Sequence, residues 1–472
     1  MTQFFGRREF VSSLMAGVSG LSLVSCEDCF KKIAERPIRR SLFTLPEGDP
    51  VITAYRAAVA AMKALPASDP RSWAKQAQIH YDFCAHGNWF FLPWHRAYLT
   101  YFEQICRKLL GQADFALPYW DWTADAHIHP AFWSDPATNA LFHSPRGFTA
   151  ASTVTPEAVG RPVIDSILDE TNFLLFASGE APAQRPPAVY GRLEGTPHNS
   201  VHGQVGGTMQ TFHSPLDPVF WTHHNMIECL WVEWNSRGHA NSDDSAWLNY
   251  VFTDNFVDGD GNPVNPSVAL TFLMPVLSYR FDGLCGGADA TALSARVRLQ
   301  SDTAAFRKVL SATAPARLNV LRRFAATAPV ALGLRPPGAA QVIPTDAAAL
   351  DGFISAAGAN RLVLNIADMD LPVSTPDVFI RVFVGTTTAG PTTPTTDPHY
   401  ADSFAFFTDP GHGQMTGGYV VDVSATVRRL AQAGALPSRG RIPIQLVAVP
   451  FPGREATGAP LTVRRLELAL VR

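Results

Sequence analysis

Residues 197–224 carry the sequence PHNSVHGQVGGTMQTFHSPLDPVFWTHH, which is rich in histidine and ends on an adjacent histidine pair. His198 and His202 are four residues apart, so a helix would place both imidazoles on one face. The apolar spacing of residues 219–234 predicts a second helix, which carries His224. This stretch therefore predicts a metal site whose ligands are held by helices.

A second histidine cluster lies upstream, at His80, His86 and His95. His95 stands near the start of a helix predicted over residues 97–110, which Gly111 ends. Neutral imidazole suits copper, zinc, iron or nickel. Two triads without a carboxylate or a thiolate favour two copper ions over two zinc ions, because zinc sites more often include Cys, Asp or Glu.

The remaining histidines are interpreted as packed or surface side chains, as a lone histidine usually is. His223 is grouped with them because, on a helix, it points about 100° away from His224. The others are His127, His129, His143, His213, His239, His399 and His412.

Length and composition predict two domains and a leader. The chain has 472 residues, of which 46% are apolar and 17% charged, with a net charge of -3. Nothing in this balance indicates a nucleic-acid partner, and no run of twenty apolar residues predicts a spanning helix. We expect an export signal at 1–30, a helical domain with the histidine clusters at 31–284, a linker at 285–341 and an all-β domain at 342–472, because short β-rich runs alternate with turns from residue 361 onward.

The leader carries a paired arginine, Arg7-Arg8, before a moderately apolar stretch that ends near Val24. This pattern is typical of a twin-arginine export signal, a route that passes folded proteins and so suits a chain that acquires metal first. The residues before Cys26 are also similar to a lipoprotein cleavage box, so the exported protein is either soluble or lipid-anchored at Cys26.

The six cysteines are scattered and do not predict a disulfide framework. Cys106 and Cys229 fall on apolar helical stripes, which indicates buried thiols. The full set is Cys26, Cys29, Cys84, Cys106, Cys229 and Cys285.

The sequence around both histidine clusters resembles the tyrosinase and polyphenol oxidase family of type 3 binuclear copper proteins. The motifs are CAHGNWFFLPWH at 84–95 with LPYWDW at 117–122, and PHNSVH at 197–202 with SPLDPVFWTHH at 214–224. The resemblance implies a mainly α catalytic domain built on a four-helix bundle, followed by a β-sandwich. It also implies that six histidines bind two copper ions, His80, His86 and His95 holding one and His198, His202 and His224 the other.

The resemblance assigns further roles. Glu194 and Asn199 correspond to residues that hold a catalytic water, and Cys84 corresponds to a cysteine whose sulfur is bonded to a ligand histidine, here His86. Arg39 or Arg40, with Tyr279, corresponds to a clamp that joins the ends of the core. Three positions depart from the family pattern: Tyr81 replaces a disulfide cysteine, Glu228 replaces an aspartate, and Gly203 lacks the side chain that helps to guide substrate in some tyrosinases.

The function implied is copper-dependent oxidation of phenols or o-diphenols to o-quinones with dioxygen. An o-aminophenol oxidase remains the alternative, and a haemocyanin-like oxygen carrier is disfavoured by the single copper domain and the leader. The C-terminal domain is either a lid that keeps the enzyme latent or a stabilising or partner-binding module. A lid needs a side chain above the coppers, and the turn-rich stretch 385–400 and the aromatic residues Phe404, Phe406 and Phe407 are the candidates. Oligomeric state stays open.

Overall fold

The computed structural model describes residues 35–472 except 185–187, 284, 286–302, 316, 327, 336–337, 357 and 359. The predicted export signal and the lipid-anchor position Cys26 lie outside these residues. Within them, no helix has the length and apolar character needed to cross a membrane.

The first part of the chain is helical. We number its helices of seven residues or more α1 to α7: α1 Pro50–Ala64, α2 Trp73–Phe83, α3 Phe91–Leu110, α4 Arg161–Leu168, α5 Asn199–Val205, α6 Val219–Ser236 and α7 Thr303–Leu310. Shorter helices are Pro156–Val159, Phe173–Phe176, Ser245–Leu248, Val268–Thr271 and Met274–Leu277. Three pairs of short strands flank them: β1 Ile38–Arg39 with β6 Arg280–Phe281, β3 Asn241–Ser242 with β7 Thr313–Ala314, and β4 Phe256–Val257 with β5 Pro263–Val264. This part of the chain also contains strand β2 Ala188–Tyr190.

Local sequence explains where the main helices begin and end. Asp49 accepts a hydrogen bond from the Val51 amide at the start of α1, and Pro50 occupies its first turn. The hydroxyl of Ser72 caps α2 in the same way. Gly111 ends α3 with a φ of 65°, a left-handed conformation that glycine adopts without a steric penalty.

Four helices form the bundle that carries the histidines: α2, α3, α5 and α6. Their inward faces belong to one buried apolar cluster, with fully buried tryptophans at its centre such as Trp94 and Trp221. The predicted four-helix core in a mainly α domain is confirmed.

One expectation about the helical domain is wrong. Cys229 is not a free thiol, because it is bonded to Cys285, with the two Cα atoms 5.7 Å apart. The bond ties α6 to the residues that follow β6. Sequence spacing did not reveal the pair because the two cysteines are 56 residues apart.

The C-terminal part is a sandwich of two sheets. Its elements are β8 Val320–Ala325, β9 Val330–Leu332, β10 Ala339–Pro344, α8 Ala347–Ser355, β11 Arg361–Asp370, β12 Val378–Val384, β13 Tyr400–Ala405, β14 Thr416–Asp422, α9 Ser424–Gln432, β15 Arg441–Pro450 and β16 Leu461–Val471. One sheet has the order β2-β14-β11-β16-β8 with β9 also paired to β16, and the other has the order β10-β15-β12-β13. Alternate apolar residues of β11, β12, β15 and β16 fill the space between the sheets.

The structure places regular elements inside the stretch predicted as a linker, 285–341. Helix α7 packs Phe306 and Leu310 into the helical core, whereas β8 and β9 pair with β16. Five of the six residues of β8 are exposed, so this edge strand lacks the apolar alternation that reveals a strand in sequence. The sandwich therefore begins before residue 342.

The two domains share a sheet. Strand β2 of the helical domain pairs in parallel with β14 of the sandwich. Three arginine–carboxylate pairs cross the same boundary: Arg192–Asp402, Arg381–Glu157 and Arg361–Glu170. The sandwich is therefore docked on the helical domain, on the side where the histidines lie.

Candidate metal centre

Two sets of histidine nitrogens converge in the bundle core. The Nε2 atom of His80, on α2, lies 3.4 Å from the Nε2 atoms of both His86 and His95. The Nε2 atom of His224, on α6, lies 3.3 Å from that of His198 and 3.2 Å from that of His202. Two nitrogens that are each about 2 Å from one metal ion are separated by roughly this distance.

In five of the six rings, the other ring nitrogen, Nδ1, faces an oxygen atom that accepts a hydrogen bond. A ring that donates through Nδ1 keeps its lone pair on Nε2, where the rings converge. The contacts are His80 to Phe212 O at 2.6 Å, His86 to Glu194 Oε1 at 3.0 Å, His95 to Phe91 O at 2.8 Å, His198 to Asn199 Oδ1 at 2.8 Å and His202 to Met209 O at 2.6 Å.

Burial favours the neutral form of five ligand candidates, His86, His95, His198, His202 and His224. Loss of solvation lowers the pKa of His95 and of His202 to about 3, against an ordinary value of 6.5. It lowers the pKa of His86, His198 and His224 as well, and the neighbouring imidazoles add to the effect. Unprotonated nitrogens that face one another in a buried space repel unless a cation lies between them, so the donor set fits a metal pair.

The structure brings His223 close to the same group, with its ring among those of His198, His202 and His224. The indole Nε1 of Trp122 donates to His223 Nδ1 at 3.3 Å, which leaves the proton of the neutral ring on Nε2. A protonated Nε2 cannot bind a metal. The contact thus supports the interpretation of His223 as a non-ligand, although its ring nitrogen lies within 4.8 Å of those of His198, His202 and His224. Among the described residues, the groups of side chains close enough to hold a metal ion include none of the other seven histidines set aside from sequence.

Glu194 lies in a π-helical turn, Glu194–His198, that runs directly into α5. Its carboxylate is fully buried and accepts hydrogen bonds from His86 Nδ1, from the Gly87 amide at 2.8 Å and from the Ser178 hydroxyl at 2.5 Å. Burial raises the pKa of Glu194 to about 8. This carboxylate therefore holds the ring of His86, a ligand candidate that follows α2 in a loop.

Asn199 connects the histidines to the sandwich. Its Oδ1 atom accepts from His198, and its Nδ2 atom donates to the carbonyl of Ala405 at 2.9 Å. The hydroxyl of Tyr419 donates to the same carbonyl at 2.7 Å. The amide that the sequence interpretation assigned to a catalytic water is thus hydrogen-bonded to the C-terminal domain in this structure.

Phe407 of the sandwich lies against the histidines. Its ring centre is 4.2 Å from that of His202, 5.0 Å from that of His86 and 5.6 Å from that of His198, and the residue is fully buried. Phe407 belongs to the apolar cluster of the helical domain and not to that of the sandwich. A C-terminal side chain therefore fills the space beside both histidine sets.

A buried charge network lies behind the histidines. The guanidinium of Arg39 stands 3.3 Å from the centre of the Tyr279 ring and donates to Glu103, which identifies Arg39 and not Arg40 as the arginine of the predicted clamp. The Tyr279 hydroxyl donates to Glu228 at 2.6 Å. Arg96, next to His95, donates to both oxygens of Glu228. The longer carboxylate at 228 still pairs with an arginine and so fixes α3 against α6.

Cys84 is buried and lies outside the disulfide, and its sulfur lies within 4.8 Å of a ring nitrogen of both His80 and His86. Sequence reasoning missed other contributors to the site, namely Ser178 and Phe212. Phe212 supplies the carbonyl that holds His80 and stacks on His86 with ring centres 5.4 Å apart. No local sequence signal marks either residue, because each acts through a contact made by the fold.

The helical domain is similar to known proteins. Residues 58–186 and 164–237 match the profile described as the common central domain of tyrosinase. A tyrosinase from Hahella sp. is 30% identical over 285 residues, which cover 49% of this chain and 60% of the relative. A chloroplastic polyphenol oxidase from Malus domestica is 30% identical over 243 residues, covering 42% of this chain and 41% of the relative. The chain thus spans about half the length of the curated relatives that it matches.

The whole architecture also has a counterpart among solved structures. The latent tyrosinase of apple superposes with a TM-score of 0.67 at 20% identity, over 93% of this chain and 97% of that one. At this identity the likeness shows the fold, in which one chain combines the helical domain and the C-terminal sandwich.

Proposed function

We propose that this chain, which belongs to the tyrosinase and polyphenol oxidase family, oxidises phenols or o-diphenols to o-quinones with dioxygen at a pair of copper ions. The observation that carries the proposal is the convergence of two sets of three buried histidines. The relatives from Hahella sp. and Malus domestica, named as a tyrosinase and a polyphenol oxidase, support it.

In this proposal one copper is held by His80, His86 and His95, and the other by His198, His202 and His224. Copper would supply the exchange of electrons between dioxygen and the phenol. The chain buries the ligand rings and orients them through their Nδ1 hydrogen bonds.

Glu194 and Asn199 are proposed to position the water that takes the proton of the phenol. A phenol hydroxyl titrates near pH 10 in water, so its ionisation at neutral pH requires a base. Both side chains touch a ligand candidate, Glu194 on His86 and Asn199 on His198. Asn199 becomes available for this role only when the carbonyl of Ala405 moves away.

The C-terminal sandwich is proposed to keep the enzyme latent. The ring of Phe407 lies where a substrate ring would have to approach the histidines, 4.2 Å from His202. The ring of Phe451, also from the sandwich, covers Gly203, where a Cβ atom would come within 2.7 Å of it. Exposed arginines at the domain junction, such as Arg317 and Arg322, are candidate protease sites.

A thioether between Cys84 and His86 is proposed as a further feature of the site. The sulfur is buried, and it lies within 4.8 Å of a ring nitrogen of His86. Such a bond would hold a ligand that follows α2 in a loop, and it would protect the sulfur from oxidation.

Export by the twin-arginine route, to the periplasm or beyond, is proposed from the leader alone, with a lipid anchor at Cys26 as the alternative to a soluble product.

The function is tested by loading the protein with copper and measuring oxygen uptake with tyrosine, catechol and o-aminophenol, before and after mild protease or detergent. We expect uptake with catechol after treatment, and little before it. Copper-loaded, opened protein that consumes no oxygen with any of the three would refute the proposal. A strong preference for o-aminophenol would favour that class of oxidase instead.

A further inference from the structure

The C-terminal segment 400–409 crosses the histidine site as an extended chain. It begins as β13 and continues past Ala405 without forming a helix. Phe404 and Phe406 belong to the core of the sandwich, whereas Ser403 and Phe407 contact the helical domain. This alternation is the two-residue period of an extended strand, with one face turned to each domain.

The helical domain binds this segment through its main chain as well as through the ring. Three polar contacts are made at alternate positions of the segment, at 403 and 405 before Phe407 and at 409 after it. They are Thr196 Oγ1 to Ser403 O at 2.7 Å, Asn199 Nδ2 to Ala405 O at 2.9 Å, and the Phe212 amide to Asp409 Oδ2 at 2.8 Å.

These contacts do more than a lid requires. A side chain that excludes substrate by bulk alone needs only its ring in the pocket. Two of the three bonds are made to main-chain carbonyls, which every polypeptide offers, and the third is made to a carboxylate. Main-chain bonds at alternate positions with one side chain in a pocket are the usual way in which proteins bind extended peptides.

We propose that this surface is a groove for an extended polypeptide, and that segment 403–409 occupies it as a pseudosubstrate with Phe407 in the place of a substrate tyrosine. Phenylalanine lacks only the hydroxyl of tyrosine, so it fits the pocket and offers no phenol to oxidise. The substrate class is then the tyrosyl or dihydroxyphenylalanyl side chain of an extended polypeptide with an acidic residue two positions later. The inference rests on the proposed phenol oxidation.

The reaction balances with dioxygen as the sole oxidant. A tyrosyl phenol and one dioxygen molecule give an o-quinone and one water. One oxygen atom enters the ring beside the hydroxyl, and the other leaves as water with the hydroxyl hydrogen and the displaced ring hydrogen.

The first test places a phenol in the groove of the full-length, copper-loaded protein. F407Y puts it beside the histidines, and the control F406Y puts it in the sandwich core. For F407Y we expect a visible charge-transfer absorption between the phenol and copper(II). After reduction and exposure to dioxygen, the peptide containing position 407 should gain one oxygen atom, with or without loss of two hydrogens. F406Y should show neither change.

The outcomes separate this inference from the proposed function. If opened wild-type protein holds two coppers and oxidises catechol, but F407Y shows neither signal, the groove assignment is overturned and the function stands. If wild-type protein holds no copper, the function is overturned and the inference falls with it.

The second test uses heptapeptides and full-length enzyme opened with detergent. Ser-Phe-Ala-Phe-X-Thr-Asp, in which X is dihydroxyphenylalanine, is compared with the same peptide ending in Lys and with the free amino acid. We expect the KM of the Asp peptide to be at least tenfold below that of the free amino acid and clearly below that of the Lys peptide, with similar kcat. Equal KM values for all three would overturn the peptide groove and leave small phenols as the substrates.

Discussion

Replacing Phe407 by alanine should activate the intact chain without proteolysis. The ring is fully buried against His202 and His86, and its removal leaves an opening beside both histidine sets. Truncating a buried phenylalanine costs about 3–5 kcal/mol, and this ring is buried at the contact between the domains. If the free energy that holds the sandwich against the helical domain falls by about 3 kcal/mol, the fraction of molecules with the sandwich undocked rises roughly a hundredfold. About 1.4 kcal/mol corresponds to a factor of ten. Three arginine–carboxylate pairs and the β2–β14 pairing remain, so we expect a rise in activity of at least tenfold.

The assay is oxygen consumption with catechol, measured on uncut F407A and wild-type protein of equal copper content. F406A is the matched control, because Phe406 is equally buried but faces the sandwich core. F406A should lower the unfolding temperature, but it should raise the activity much less than F407A does. If F407A holds its copper and is no more active than the wild type, the ring is not what closes the site.

Three further predictions concern the site itself. Metal-free protein should lose stability in acid. Burial lowers the pKa of His95 and of His202 to about 3, so the free energy of unfolding should be highest above about pH 6.5 and should fall as the pH is lowered towards 3. Lowering the pH from 6.5 to 5.5 should cost about 1 kcal/mol for each of these rings, and a urea unfolding free energy that does not fall would contradict this. After disulfide reduction, the mass of copper-loaded protein should still be two hydrogens short, and Cys84→Ser should abolish the deficit; an alkylatable Cys84 in active enzyme would refute the thioether. Asn199→Gly should reduce monophenol turnover far more than catechol turnover in opened enzyme, whereas equal losses would make Asn199 purely structural.

The sequence predicted the features that depend on local periodicity and on motif residues. His198 and His202 could be placed on one helical face from their spacing alone, and the structure brings both next to His224. The β-rich character of residues beyond 361 was visible in the same way. Both are short-range properties, in which the chain itself sets the geometry.

Features that depend on contacts across the chain were not predictable. The disulfide between Cys229 and Cys285 joins residues far apart in sequence. Strand β8 is an exposed edge strand that lacks the alternation of apolar and polar residues by which strands are recognised. Phe407 stood in an aromatic run with Phe404 and Phe406, but only the docking of the sandwich decides which ring reaches the histidines.

The central claim is that six histidines hold two copper ions that react with dioxygen. The most direct test is the copper content per chain of wild-type, His95→Ala and His224→Ala protein, measured together with catechol oxidation by the opened enzymes. We predict two coppers and oxidation in the wild type, and one copper without oxidation in each variant, because each substitution removes one ligand from one set. Native protein with two zinc ions, or normal oxidation by both variants, would contradict the account.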